Sequence, residues 1–232
     1  MKESLKQVYR RLVGVDNETP RMLDLVRRAC AGISKPVILD VGCGYGRTLR
    51  ALRAAGLSAV GIEINLDIVE RNRDEGLECL LPDEFRDRGL VADVIVMSHV
   101  VEHFGPLQLL DFLNDYLSYL RPGGYLVIAT PLASDRFFDD FDHVRPYQPL
   151  GFTMVYGAGS AQVQYRGKHR LELVDLWFRR SPLSVAFARG LYIRSWTSRW
   201  LQLANLAGVA AFRASAGLIG RTTGWVGMFC KR

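Results

Sequence analysis

From residue 176 to residue 232 the chain has no aspartate or glutamate, yet it holds nine lysines and arginines there. The formal charge of +6 therefore belongs to this tail, since residues 1–175 carry 21 basic against 24 acidic side chains. Cysteine is sparse: Cys30, Cys43, Cys79 and Cys230 show no Cys-x-x-Cys or Cys/His ligand spacing. Neither a zinc site nor a disulfide framework is therefore indicated, and a reducing compartment is the natural one. No run of about 18 uncharged apolar residues exists, so no helix is expected to span a bilayer. The first residues, Met1-Lys-Glu-Ser-Leu-Lys, lack the apolar core of an export signal. The expected location is the cytoplasm, with the inner membrane surface as a peripheral site for the basic tail. No repeat or low-complexity linker divides the 232 residues, a length that suits one domain with additions.

What is present is concentrated in residues 37–46, Val-Ile-Leu-Asp-Val-Gly-Cys-Gly-Tyr-Gly. A short apolar run, a carboxylate and three alternating glycines predict a buried strand running into a nucleotide-binding turn. Gly42, Gly44 and Gly46 permit positive φ and close backbone approach where the next helix begins. Such glycines alone are weak evidence. Asp40 discriminates, because a loop built for pyrophosphate loses from a fixed negative charge beside it. A ligand with an ammonium group gains, and S-adenosylmethionine has an ammonium, a sulfonium and no phosphate. One β-α unit later Glu63 ends a second expected strand, where a carboxylate can accept from both ribose hydroxyls of a nucleoside.

These residues resemble the class I S-adenosylmethionine-dependent methyltransferases, in particular the small-molecule methyltransferase group. The matching pieces are residues 39–46, Gly61-Ile-Glu63, residues 92–103 (Ala-Asp-Val-Ile-Val-Met-Ser-His-Val-Val-Glu-His), residues 120–131 and Asp142-His-Val-Arg-Pro-Tyr-Gln-Pro149. The resemblance covers about residues 35–150. It implies a Rossmann-like doubly wound α/β sheet, mostly parallel with an antiparallel seventh strand, and S-adenosylmethionine as cofactor. It also implies cofactor contacts at Asp40, Gly42, Cys43, Gly44, Gly46, Glu63, Ile64, Ser98 and His103. It places Asp83 beside the adenine amino group, although Pro82 stands where a small residue is usual.

Strands are expected near 37–41, 58–63, 77–81, 92–98, 124–130, 171–178 and 225–230. Helices are expected near 20–30, 47–55, 66–75 and 106–119, after a basic amphipathic start. That alternation predicts a parallel sheet. The division along the chain is then N-terminal helices at 1–34, a core at 35–180, a basic amphipathic helical insertion at 181–221 and a last strand at 222–232.

Open α/β sheets bind ligands at the carboxyl edges of their strands, which gathers His99, Glu102, His103 and His143. Histidine serves as a base near neutral pH. His143, in a loop of Pro, Asp and Arg with no apolar stripe, is the leading candidate base for an oxygen nucleophile, and His99 is the second. His103 either has a direct role in the site or closes the following helix and donates to a backbone carbonyl. Methyl transfer mainly requires alignment and proton removal, so no metal is expected, and Asp139, Asp140 and Asp142 read as a solvated, ion-paired loop.

In residues 181–221, Leu183, Phe187, Leu191, Trp196, Trp200 and Leu203 alternate with arginines. This predicts helices with an apolar and a cationic face, suited to a membrane interface, a lid or a homodimer contact. A lid buries Trp196 and Trp200. No RNA-binding module is recognisable, so specific nucleic-acid binding is not expected. The expected activity is O-methylation of a small-molecule, glycan- or lipid-linked acceptor. The alternatives are a nicotinamide-dependent oxidoreductase, disfavoured by Asp40 and by the absence of a Tyr-x-x-x-Lys pair, and a non-catalytic cofactor-binding scaffold.

Overall fold

The computed structural model describes residues 15–159, 162–193 and 195–232. The expected amphipathic start lies outside them. In chain order come α1 (Glu18–Ala29), β1 (Ile38–Val41), α2 (Arg47–Ala54), β2 (Val60–Ile62), α3 (Leu66–Asp74), β3 (Cys79–Leu80), α4 (Pro82–Arg88) and β4 (Ala92–Ser98). There follow α5 (Pro106–Ser118), β5 (Leu120–Pro131), α6 (Pro149–Tyr156), β6 (Leu171–Ser181), α7 (Arg189–Tyr192), α8 (Ser198–Ala214) and β7 (Arg221–Lys231), with 3-10 turns at Val101–His103 and Phe137–Asp139.

The seven strands form one sheet in the order β3-β2-β1-β4-β5-β7-β6. β1 to β5 run parallel, and β7 lies antiparallel between β5 and β6. The expected class and the direction of the seventh strand are both present. β1 and β4 read as near-continuous apolar runs because helices cover both faces of the sheet. On one face α1 presents Met22, Leu25, Val26 and Ala29 to Val94, Val96, Val127 and Val226. Fully burying Met22, Leu25 and Val26 contributes roughly 1.5–3 kcal/mol each. On the other, Phe85, Tyr116, Phe152, Trp225 and Phe229 belong to a second apolar cluster with the sheet.

No periodicity predicts α4 or α6. Both open on proline at a first helical position, Pro82 and Pro149, where the fixed φ suits the helix and the missing N–H costs nothing. Pro82 thus starts a helix of its own directly after β3. The insertion between β6 and β7 carries α7 and α8 as expected for a helical segment. Its tryptophans are not buried as a lid requires: Trp196 is 86% and Trp200 69% exposed.

The sheet order reverses beside β1, between β1 and β4, and this switch point sets the location of the site.

Candidate active site

At the carboxyl end of β1 the chain turns sharply. The N–H groups of Gly42 and Cys43 both donate to the Ile62 carbonyl, at 2.8 and 3.1 Å, which ties the turn to β2. Gly42 has φ +69°, and a Cβ there would meet Val100 Cγ2 at 2.6 Å, so only glycine fits. Gly44, at φ +50°, has nothing within 4 Å of the same position. That side of the loop is open to a ligand. Cys43 faces inward instead, with its Sγ 3.5 Å from Cys79 Sγ.

Glu63 is held by two backbone donors, Gly44 N–H to Oε2 and Asn65 N–H to Oε1, both at 3.0 Å. These bonds leave its outer lone pairs free to accept from hydroxyls. Ile64 beside it is 82% exposed, an apolar platform next to that carboxylate. Asp40 is buried in β1, and its Oδ2 has no hydrogen-bond partner. Burial pushes its pKa up to about 8, with the Arg47 charge pulling the other way. A buried acid without a donor is a deficit that a cationic ligand relieves. The orphaned Asp40 oxygen, the open side of Gly44 and the anchored Glu63 together fit the ammonium and ribose of S-adenosylmethionine. Asp83 stands in the first turn of α4 with its side chain 95% exposed and pairs with Arg86 at 3.0 Å.

β4 ends at Ser98, whose Oγ lies 3.4 Å from Arg47 Nη2. His99 follows with φ +59°. Its Nδ1 donates to Glu102 Oε1 at 3.1 Å and its Nε2 to Glu18 Oε1 at 2.8 Å. Burial pulls the imidazolium down, but these two carboxylates outweigh it and raise the pKa to about 9. With both nitrogens donating, His99 has no lone pair to offer as a base. Glu18 also receives Arg179 Nη1 at 2.7 Å, and Glu102 Oε2 accepts from Thr130 at 2.9 Å. Burial opposes ionisation of Glu18, and its bonds and charge contacts with His99, Arg179 and Arg47 overcome it, leaving its pKa lowered. The network therefore pins α1 and β6 to the end of β4. Glu18, Arg179 and Thr130 carry no local sequence signal, because their roles arise across 81 and 161 residues of chain.

The loop after β5 brings His143 to the same edge. The Glu102 carbonyl accepts from Val144 and Arg145 N–H. His143 Nδ1 donates to the Phe137 carbonyl at 2.6 Å, and its ring packs 4.7 Å from the Phe137 ring. The carbonyl can only accept, so in the neutral ring Nε2 keeps the lone pair. Asp140 Oδ2 lies 3.7 Å from that nitrogen. His103, 5.1 Å from His143 between ring centres, donates to the Asp142 carbonyl at 3.1 Å. His143 also lines a cavity of about 630 Å³ with Phe137, Arg179, Tyr192, Asn205 and Val209. A second cavity of about 380 Å³ between α5 and α6 is lined by leucines and aromatics, with none of the histidines. Although no metal is expected from the sequence, Glu102, His103 and His143 bring one ligand atom each within 4.8 Å of one another.

A family model described as a methyltransferase domain matches residues 10–203. The ubiquinone biosynthesis O-methyltransferase of Chelativorans sp. (strain BNC1) is 32% identical over 101 residues, covering 40% of this chain and 39% of the relative. That of Parvibaculum lavamentivorans is 32% identical over 128 residues, covering 52% and 50%. The chain thus spans at most about half the length of these curated relatives. A solved S-adenosylmethionine-dependent methyltransferase from Archaeoglobus fulgidus superposes with a TM-score of 0.57 at 18% identity, covering 99% of this chain and all of that one, a likeness of fold.

Proposed function

The chain belongs to the methyltransferase domain family, and we propose that it transfers the methyl group of S-adenosylmethionine to an oxygen of a small-molecule acceptor seated in the His143 cavity. The observation that carries this reading is the buried, unpartnered Asp40 oxygen beside an open glycine turn, with Glu63 anchored one strand away. When bound, the cofactor supplies the electrophilic methyl carbon and its own leaving group. The protein's part is to hold, align and deprotonate. Asp40 holds the ammonium of the amino acid end, Glu63 accepts from the ribose, and Ile64 and Asp83 border the adenine. His143 Nε2 takes the acceptor's proton, and Asp140 stabilises the imidazolium that results. His99 is a positioning residue that locks the end of β4. The curated relatives' names place their reaction at oxygen in ubiquinone biosynthesis, which supports a hydroxyl acceptor of that kind over a glycan. The insertion at 181–221 is the candidate contact for a membrane or a second copy.

A second reading rests on the Glu102, His103 and His143 trio. There Glu102, His103 and His143 would hold a divalent cation that polarises the acceptor hydroxyl, and chelation would abolish turnover while cofactor binding persists.

Titration calorimetry tests the assignment directly. S-adenosylmethionine and its demethylated product should bind at micromolar strength, and Glu63→Ala should weaken both by roughly 1.5–3 kcal/mol, as expected for charge-assisted hydrogen bonds. Binding of NADH with none of S-adenosylmethionine would falsify it.

A further inference from the structure

The outward face of α8 is apolar. Trp200, Leu203, Ala204, Ala207, Ala210 and Ala214 are exposed at helical spacing, while Asn205, Val209 and Phe212 point inward. An ordinary surface helix has the opposite arrangement, with its polar face in water. No charged residue lies between Arg199 and Arg213. The apolar surface continues through Phe187, Ile193 and Trp196, each more than half exposed. Across the cavity, Phe138 and Phe141 are exposed on the His143 loop. Arg136 of that loop donates to the Val185 carbonyl at 2.9 Å, which joins the two segments. Contiguous apolar surface rimmed by charge marks an interaction site.

On the 183–219 segment itself the rim has one sign, whereas the His143 loop across the cavity exposes Asp139, Asp140 and Asp142 and is no part of the docking face. Arg189, Arg199 and Arg213 are exposed without an acidic partner among the described residues. The nearby Arg179 and Arg221 are instead paired, with Glu18 and Asp135. A two-fold dimer would set this patch against itself, bringing cations together with no carboxylate from 176 onward to meet them. Nucleic acid would leave the uncharged face of α8 without phosphate partners. An anionic leaflet complements both features: arginines meet headgroups while tryptophan and leucine enter the acyl boundary.

We propose that the exposed face of the 183–219 segment docks the protein on an anionic lipid bilayer. The inner side of the same segment supplies Tyr192, Asn205 and Val209 to the His143 cavity. The segment therefore lies between leaflet and cavity, and an amphiphilic acceptor is drawn from the membrane plane, a step that rests on the methyltransferase reading of that cavity.

The test is co-sedimentation of the full chain with phosphatidylcholine vesicles, with and without about one-third phosphatidylglycerol, at low and moderate salt. Pelleting with the anionic vesicles should fall as salt rises. Exchanging Arg189, Arg199 and Arg213 for glutamine should lower the partition coefficient roughly 100-fold, at about fivefold for each. Trp196→Ser with Trp200→Ser should abolish both pelleting and the vesicle-induced blue shift of fluorescence. Calorimetry with S-adenosylmethionine on the same proteins keeps the two readings apart: unchanged cofactor binding attributes the loss to docking, and absent binding in the parent chain overturns the cavity's assignment while leaving docking standing. Protein that stays in the supernatant under every condition overturns docking, as does a concentration-dependent dimer that the tryptophan exchange dissociates without any vesicle binding.

Discussion

His143→Ala should lower the rate of methyl transfer by about 10²–10⁴ while leaving cofactor affinity nearly unchanged. The Phe137 carbonyl fixes the ring through Nδ1 at 2.6 Å, which leaves Nε2 as the proposed proton acceptor on a residue that lines the cavity. Asp140, at 3.7 Å, lowers the cost of the charge that then forms. None of these contacts involves the glycine turn or Glu63, so cofactor binding is untouched. Single-turnover measurement with excess enzyme separates the chemical step from product release. A rate within about threefold of the parent would assign the chemistry to proximity alone.

The parts of the candidate site that lie close together in sequence were legible there as a local pattern. Asp40, the glycines and Glu63 announce themselves because a strand end, a turn and the next strand end are local events, with side-chain type and spacing both constrained by backbone geometry. β4 emerged with the bounds its apolar run suggests, Ala92–Ser98. α6 did not, since Leu150 on its exposed side is as apolar as Phe152 on its buried one and leaves no period to detect. His99 shows the harder limit. As a sequence feature it is one more histidine at a sheet edge, a fair candidate base. Its actual state depends on Glu18, an ordinary acidic residue in the first turn of a distant helix. A useful rule survives: a histidine expected to be largely buried needs named partners before it is given a proton-transfer role. The tail was legible in composition but not in orientation, because the alternation of arginine and tryptophan does not say which face of α8 turns inward.

Glu18→Ala should be among the most destabilising single exchanges in the chain. The carboxylate is buried and sits between the His99 imidazolium and the Arg179 guanidinium, with Arg47 at 3.7 Å. Its removal leaves Arg179 and Arg47 without their carboxylate partner and His99 with Glu102 alone. Breaking a buried pair in this way costs about 3–5 kcal/mol, a large share of the 5–15 kcal/mol that roughly bounds the stability of a domain. At about 2–4 °C per kcal/mol for a chain of this size, the melting temperature should drop by roughly 6–20 °C. The pH dependence supplies a second signature. The folded pKa of His99, about 9, lies above its unfolded value, so this contribution to stability is complete below about pH 6.5 and is lost as pH rises toward 9. The parent protein should therefore lose stability across that interval, and Glu18→Ala should flatten the loss. Glu18→Gln, which keeps the shape and one acceptor, should fall between the two. Scanning calorimetry at pH 6.5 and 9 reads both effects, and a melting temperature for Glu18→Ala within about 2 °C of the parent at the lower pH would show that α1 is held to β4 by its apolar face alone.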